Sequence, residues 1–159
     1  MKIAVYPGTF DPITNGHLDI IKRGLTIFDK IIVTIALNSS KKPLFSAEER
    51  MDMIRCSTVG MDNIEVASFR GLIAPWVKTQ NAHTIIRGLR AISDFEYEFQ
   101  MALMNRKINE SIDTIFLMPN ARYTFLNSTI IREMGRLQGD VAQFVPSCVV
   151  ERLKEKFPD

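Results

Sequence analysis

The feature that most constrains the fold is a nearly continuous apolar run at residues 31–37. A run of this kind is typical of a strand covered on both faces, as in a parallel sheet. Four further segments have the apolar or alternating pattern of strands: residues 3–6, 63–67, 84–87 and 114–118. Between the strands, apolar residues recur at helical spacing, as at Leu18, Ile21 and Leu25. This alternation predicts a doubly wound five-stranded parallel α/β sheet.

Composition limits the classes of protein that need to be considered. The 159 residues, 46% hydrophobic and 24% charged, predict a single globular domain spanning 1–159. A net charge of +2 is too small to indicate a nucleic-acid partner. Neither a signal segment nor a membrane-spanning run is found, so we expect a cytoplasmic protein without a membrane partner. Cys56 and Cys148 lack metal-site spacing and are predicted to be buried, reduced thiols.

Several segments carry the start signals of helices. Ser46 and Glu49 form one predicted capping box, and Ser93 and Glu96 form another. Ser147 is the predicted cap of the last helix. The helix that follows Ser93 is apolar on two sides, which indicates either deep burial or a subunit contact. The helix that follows Ser46 is expected to place Met51, Ile54 and Val59 inward.

Cationic and phosphate-binding residue types follow the predicted strands at their carboxyl ends, where ligands of such sheets bind. They are Thr9, Phe10 and His17 after the first strand, Lys41 and Lys42 after the second, Arg87, Gly88 and Arg90 after the fourth, and Arg122, Ser128 and Thr129 after the fifth. Their common edge predicts a polyphosphate site. The alternatives are that the lysines are solvated, that the arginines are surface charges and that Ser128 and Thr129 only cap a helix. With neither a Ser-His-Asp relay nor a close carboxylate pair, a hydrolase is disfavoured.

The motifs around these residues resemble one family. They are Y-P-G-T-F-D-P-I-T-N-G-H (6–17), S-K-K-P-L-F (40–45), I-R-G-L-R-A-I-S-D-F-E-Y-E (86–98), F-L-M-P (116–119) and Q-G-D-V (138–141). The T-x-G-H motif at 14–17 is similar to the signature of the nucleotidyltransferase superfamily, and the whole set resembles the phosphopantetheine adenylyltransferase family. The sequence departs from that family in two places: Asn127-Ser128-Thr129 replaces a serine triplet, and Tyr123 stands where relatives often have Trp.

The resemblance implies a Rossmann-like nucleotidyltransferase fold and transfer of the adenylyl group of ATP to 4′-phosphopantetheine, giving dephospho-coenzyme A and pyrophosphate. It implies catalytic roles for His17, Lys41 and Arg90, and phosphopantetheine contacts from Thr9, Lys41, Ile73 and Arg87. The implied ATP site comprises Thr9, Phe10, His17, Gly88, Leu89, Arg90, Glu98, Tyr123, Thr124, Phe125, Leu126, Asn127, Ser128 and Thr129.

The same resemblance implies further properties beyond the site residues. Mg²⁺ would be held by phosphate and water, with no protein metal motif. Coenzyme A would act as a feedback inhibitor, and the assembly would be a homohexamer. Two alternatives remain open: a nucleotidyltransferase for another small phosphorylated substrate, such as nicotinamide mononucleotide or glycerol phosphate, and a non-enzymatic nucleotide-sensing domain.

Overall fold

The computed structural model describes residues 1–37, 42–90 and 92–158. Within them lie five strands: β1 (Ile3–Gly8), β2 (Lys30–Ala36), β3 (Ile64–Phe69), β4 (Thr84–Gly88) and β5 (Asp113–Leu117). The same residues contain six α-helices: α1 (Asn15–Leu25), α2 (Ala47–Ser57), α3 (Ile73–Thr79), α4 (Ile92–Ile108), α5 (Ser128–Arg136) and α6 (Ser147–Lys156). A 3₁₀ turn at Ala121–Tyr123 precedes α5.

All strand pairs are parallel, and the sheet order is β3-β2-β1-β4-β5. The predicted doubly wound parallel sheet is therefore confirmed. The apolar run in β2 is buried along its central five residues, as expected for a strand covered on both faces. Helix α1 packs closely on this strand because Gly24 faces it: a Cβ at Gly24 would lie 2.6 Å from Cδ1 of Ile31.

The sheet opens between its central strand, β1, and the neighbouring strand β4. β1 pairs with β2 along residues 3–8 but with β4 only at Ala4 and Val5. Pro7 has no N–H to contribute to a ladder, and its carbonyl accepts a hydrogen bond from the Arg87 side chain instead. The predicted end of the first strand at residue 6 was therefore wrong on the β2 side, where pairing continues to Gly8. A cleft opens where β1 and β4 separate.

The predictions for helix caps and for buried residues were confirmed only in part. The Ser46 capping box is confirmed: Ser46 Oγ accepts from Glu49 N at 3.1 Å, and Ser46 N donates to Glu49 Oε2 at 2.7 Å. The predicted cap at Ser147 was wrong, because Pro146 precedes the helix and makes no side-chain cap bond. Val59 does not point inward but lies exposed beyond the end of α2. Cys56 is exposed and Cys148 is half-buried, so neither thiol is fully buried.

The prediction for α4 offered deep burial or a subunit contact, and deep burial is wrong. The helix begins at Ile92, so Ser93 lies inside its first turn and not at a cap position before it. Large apolar side chains of this helix are exposed: Phe95, Tyr97, Phe99, Met101, Leu103, Met104 and Ile108. In the described part of the chain, no helix is both long enough and apolar enough to span a bilayer.

Candidate active site

A cleft of about 470 Å³ lies at the carboxyl ends of β1 and β4. This is the position at which the strand order reverses direction, and open α/β sheets bind their ligands at such a point. The β1 end contributes Tyr6, Pro7 and Gly8, and the β4 end contributes Arg87 and Gly88. The start of α1 and the start of α5 form the remaining walls, so two helix N-termini face the same space.

His17 is fixed in one tautomer by the helix cap that precedes it. Thr14 is the N-cap of α1; its N–H donates to His17 Nδ1 at 3.0 Å, and His17 N donates back to Thr14 Oγ1 at 3.4 Å. Because Nδ1 accepts this bond, the ring proton resides on Nε2. Nε2 has no partner among the described residues, and His17 lines the cleft. The imidazole is therefore a neutral hydrogen-bond donor toward a ligand.

The electrostatic surroundings keep this imidazole neutral. Burial, reinforced by the charges of Arg90 and Arg87, lowers the pKa of His17 to about 3. Desolvation is the largest of these causes, so the neutral state follows mainly from the burial of the ring in the cleft wall and less from the neighbouring charges.

The turn after β1 depends on a glycine and an aromatic ring. Phe10 has φ of 47°, a left-handed conformation uncommon for a non-glycine residue. Its ring is buried, with centroids 5.3 Å from Tyr6 and 5.0 Å from His17, both in edge-to-face contact. A Cβ on Gly8 would come within 2.8 Å of this ring. Gly8 therefore makes room for the ring, whose packing fixes the turn beside His17.

Arg87 is held at the end of β4 by three donated hydrogen bonds. Its Nε and one terminal nitrogen bind the two carboxylate oxygens of Glu98, and its other terminal nitrogen binds the carbonyl of Pro7. A guanidinium has five N–H groups, so two remain for a ligand. Burial lowers the Arg87 pKa, but the Glu98 contacts outweigh burial and raise it overall, so the group stays charged. The arginine is therefore oriented before any ligand arrives.

The start of α5 presents free N–H groups to the same cleft. Asn127 is its N-cap and accepts from Ile130 N at 2.9 Å, and Ser128 Oγ donates to the Pro12 carbonyl at 2.8 Å. The cap is thus Asn127, and Ser128 and Thr129 are the first helical residues. Arg90 reaches this end, donating to the Leu126 carbonyl at 3.2 Å. An anion at this point would meet backbone N–H groups and a cation together.

Asp11 joins the separate segments that form the cleft. The residue is 3% exposed, and its carboxylate accepts hydrogen bonds from Leu44 N and Phe45 N, both at 2.9 Å. Arg132 of α5 lies 3.4 Å from the same carboxylate and donates to the Asp11 carbonyl. The first loop, the segment that follows β2 and helix α5 are therefore tied together at one charged group.

We expect Asp11→Asn to destabilise the fold by about 1 to 3 kcal/mol, because the amide leaves a buried N–H group without an acceptor. Denaturant titration followed by fluorescence measures the effect. The matched control is Asp113→Asn, which removes an exposed ion pair with Arg106 at 3.5 Å and should cost no more than about 1 kcal/mol. Equal losses in the two variants would contradict a structural role for Asp11.

Most of the predicted site residues lie on this cleft, and a few do not. Those lining it are Thr9, Phe10, His17, Arg87, Gly88, Arg90, Glu98, Tyr123, Leu126, Asn127, Ser128 and Thr129. Leu89, Thr124 and Phe125 do not line it; Leu89 N instead pairs with the Leu117 carbonyl. Lys41 lies outside the described residues. Ile73 lines an adjoining cavity of about 200 Å³ that shares Pro7, Arg87, Tyr97 and Glu98 with the first.

Several residues of the cleft escaped sequence analysis. Arg122 was expected at this edge, but it is exposed and lies over the Tyr123 ring at 4.7 Å, whereas Arg132 lines the cleft. The spacing of Ser128 and Arg132, four positions apart on one helix face, was a usable signal. Tyr6 and Asp11 also line the cleft. Tyr6 gave no signal of its own, because aromatic residues are ordinary in strands.

Among the described residues that line the cleft, three carry carboxylates: Asp11, Asp94 and Glu98. Each is within ion-pair distance of an arginine. No group of three or more His, Cys, Asp or Glu side chains suited to a metal ion occurs in the described ranges. This donor set fits a metal that enters with phosphate and water as its main ligands.

Comparison with known proteins first identifies the broad class of enzyme to which the chain belongs. The family model described as cytidylyltransferase-like matches residues 5–134. A crystal structure from Vibrio parahaemolyticus, described as a nicotinate-nucleotide adenylyltransferase, superposes with a TM-score of 0.73 at 20% identity, covering 98% of this chain and 93% of that one. That likeness establishes the fold. The fold and the family model together define a nucleotidyltransferase.

Sequence relatives then narrow the class. Phosphopantetheine adenylyltransferases of Caldanaerobacter subterraneus subsp. tengcongensis and Desulfosudis oleivorans are 52% and 54% identical to this chain, each over 99% of it. The alignments cover 98% and 94% of those proteins. The corresponding protein of Syntrophotalea carbinolica is 51% identical over 99% of this chain and 95% of its own length. The chain belongs to the phosphopantetheine adenylyltransferase family.

Proposed function

We propose that this protein transfers the adenylyl group of ATP to 4′-phosphopantetheine, giving dephospho-coenzyme A and pyrophosphate in coenzyme A biosynthesis. Membership of the family supports both substrates. The observation that carries the chemistry is the neutral His17, whose free Nε2–H shares one cleft with Arg87 and Arg90. These are donors and cations without a base, which is what transfer between phosphates requires.

The nucleophile supplies its own reactivity. The second pKa of a phosphomonoester is about 6, so at neutral pH the phosphate is largely a dianion. His17 is unsuited to act as a base, because Nδ1 already accepts a hydrogen bond and Nε2 carries the proton. The remaining barrier is to bring two anions together and to stabilise charge on the reacting phosphate. Positioning and electrostatics therefore account for the catalysis.

The proposed roles follow the geometry of the cleft. Arg87 has two N–H groups left for the phosphate of phosphopantetheine, and the adjoining cavity lined by Ile73 accepts the arm that extends from it. Arg90 and the N-terminus of α5 bind the outer phosphates of ATP. His17 donates to the α-phosphate between them. Thr9 orients the nucleophile, and Lys41 is assigned to the same phosphate by the family resemblance alone.

Mg²⁺ belongs to the proposal, bound to the triphosphate and to water. Asp94 is the lining carboxylate most open to solvent, with a long 3.6 Å contact to Arg90, and it can accept a hydrogen bond from metal-bound water. When bound, the ion supplies positive charge that offsets the charge of the phosphate oxygens. Arg90 and the α5 N–H groups provide the protein's share of that compensation.

Three further properties remain predictions: a homohexamer and feedback inhibition by coenzyme A, both implied by the resemblance, and a cytoplasmic location, expected from the composition and patterning of the sequence. The exposed apolar side chains of α4 support an assembly, because Leu103 and Met104 are more than half exposed in the single chain. Light scattering of the purified protein tests the hexamer directly. Feedback is tested by competition between coenzyme A and phosphopantetheine.

The function is tested by pyrophosphate release from ATP, measured with and without 4′-phosphopantetheine. We expect release that depends on phosphopantetheine and is not supported by nicotinamide mononucleotide or glycerol phosphate. Release with one of those substrates instead would assign a different nucleotidyltransferase. ATP binding with no release on any substrate would point to a nucleotide sensor.

The start of α5 gives a prediction on ATP recognition. Thr129→Val removes a cleft-lining hydroxyl that accepts from Arg132 at 3.2 Å and whose O–H remains available to donate. Ser128→Ala removes a hydroxyl whose proton is already donated to the Pro12 carbonyl. We expect Thr129→Val to weaken ATP binding about 10-fold, which is the usual effect of losing a hydrogen bond to a charged group. The same substitution should leave AMP binding almost unchanged. Ser128→Ala should mainly lower stability. Calorimetry with both nucleotides measures this, and equal losses for ATP and AMP from Thr129→Val would refute contact with the outer phosphates.

A further inference from the structure

Tyr6 is an aromatic residue of β1 whose hydroxyl has no protein partner. The residue is 5% exposed, and its ring packs edge-to-face on Phe10. Among the described residues, none hydrogen-bonds the phenol oxygen. Two side-chain atoms of the described chain are both fully buried and unpartnered, the hydroxyls of Thr34 and Thr114. The Tyr6 hydroxyl is also unpartnered but is not one of these fully buried atoms, so it retains some exposure. Because Tyr6 lines the cleft, that exposure is toward the cleft.

The surroundings of this hydroxyl are those of an anion site. It lies 3.7 Å from the position that a Cβ on Gly88 would occupy, where β1 and β4 separate. The charges of Arg87 and, more weakly, Arg90 act on it. Burial nevertheless raises the pKa of the Tyr6 phenol well above its usual value. The phenol therefore stays protonated at neutral pH and remains an O–H donor.

We propose that the Tyr6 hydroxyl donates a hydrogen bond to the nucleophilic phosphate held by Arg87, making Tyr6 a further substrate-binding residue of the reacting centre. Arg87 is the cation that acts most strongly on the phenol, both residues line the same cleft, and two Arg87 N–H groups remain for a ligand there. The Tyr6 hydroxyl has no acceptor among the described residues, and a phosphate oxygen in the cleft would supply one. This assignment rests on the proposed function for the identity of the phosphate.

The alternative is that Tyr6 is only a core residue whose hydroxyl happens to border the cleft. Tyr6→Phe separates the two, because it keeps the ring and its contact with Phe10 and removes one oxygen. Thr34→Val is the matched control: it also removes an unpartnered hydroxyl, from β2 beside Pro7, at a position that does not line the cleft.

We expect Tyr6→Phe to weaken phosphopantetheine binding, measured by calorimetry, about 10- to 100-fold, as for a hydrogen bond to a charged group. ATP affinity and the melting temperature should stay close to those of the unchanged protein, and Thr34→Val should leave both affinities unchanged. Unaltered phosphopantetheine affinity in a folded Tyr6→Phe variant overturns the proposal. So does an equal loss for ATP, because the hydroxyl would then not distinguish the two substrates.

Two further measurements cover an inactive protein and a Tyr6→Phe variant that does not fold. If the unchanged protein releases no pyrophosphate, the proposed function fails, and the role of the hydroxyl is then tested with inorganic phosphate as the probe. Weaker phosphate binding by Tyr6→Phe than by the unchanged protein still supports a phosphate contact. Equal binding by the two proteins overturns it. If Tyr6→Phe does not fold, 3-fluorotyrosine at position 6 keeps the ring and hydroxyl and makes the O–H a stronger donor. Tighter phosphate binding supports the proposal, and unchanged binding overturns it.

Discussion

His17→Ala should lower kcat about 10²- to 10³-fold, the usual effect of removing one donor to a charge that develops in the transition state. The reason is the geometry at the start of α1: Nδ1 is occupied by Thr14, so the Nε2–H is available to the reacting phosphate. Such a bond strengthens in the transition state, so ATP affinity should change little. Steady-state kinetics and calorimetry on one preparation measure both quantities.

The same substitution also removes half of a capping box, so a loss of about 1 kcal/mol in stability is expected. His83→Ala is the control, since His83 is exposed and precedes β4 at the edge of the sheet opposite the cleft. It should leave kcat and the melting temperature unchanged. A His17→Ala protein with lowered melting temperature but near-normal kcat would remove His17 from the mechanism.

The lowered pKa of His17 also predicts how stability depends on pH. The ordinary value is 6.5 and the folded value is about 3, so between these values the unfolded chain binds a proton that the folded chain does not. Folding stability from this group is complete above pH 6.5 and is lost as pH falls toward 3. Denaturant titrations from pH 7 to 4 should show this loss, and His17→Gln should reduce it. Identical pH profiles for the two proteins would contradict a buried, neutral imidazole.

Arg87→Gln should produce the second large effect, on phosphopantetheine. Truncating one partner of a buried, hydrogen-bonded charge pair typically costs about 2 to 5 kcal/mol, part of it because the other charge stays unpaired. The Arg87–Glu98 pair is half-buried, so its loss should fall toward the lower end of that range. Here Glu98 would lose both of its Arg87 contacts. We expect the phosphopantetheine Kd to rise about 100-fold, with a clear fall in melting temperature and a smaller change in ATP affinity.

The double variant Arg87→Gln/Glu98→Gln separates binding from structure. Removing both charges leaves neither unpaired, so the double variant should recover much of the stability lost in the single one. It should not recover phosphopantetheine affinity, because the guanidinium assigned to that phosphate is absent from the end of β4 in both variants. If the double variant binds phosphopantetheine as tightly as the unchanged protein, Arg87 serves the fold alone.

Local sequence patterns were sufficient for the elements and for the edge of the sheet that carries the site. The run in β2 and the Ser46 capping box depend on neighbouring residues, so both were predictable. His17 could be placed in a first helical turn for the same reason. Predictions failed where distant segments decide. The cysteines were assigned burial, and deep burial was one of two alternatives for α4, without knowledge of what packs on either.

The sequence by itself determined a parallel α/β sheet with cations and small polar residues at its carboxyl edge, because apolar periodicity and helix start signals act over a few residues. Only the tertiary structure decided which of those groups share a cleft and in what state. The Arg87–Glu98 pair and the Asp11–Arg132 link join residues 11 and 121 positions apart. The pKa of His17 and the unpartnered Tyr6 hydroxyl depend on burial, which arises only when β1, β4 and the two helix ends come together.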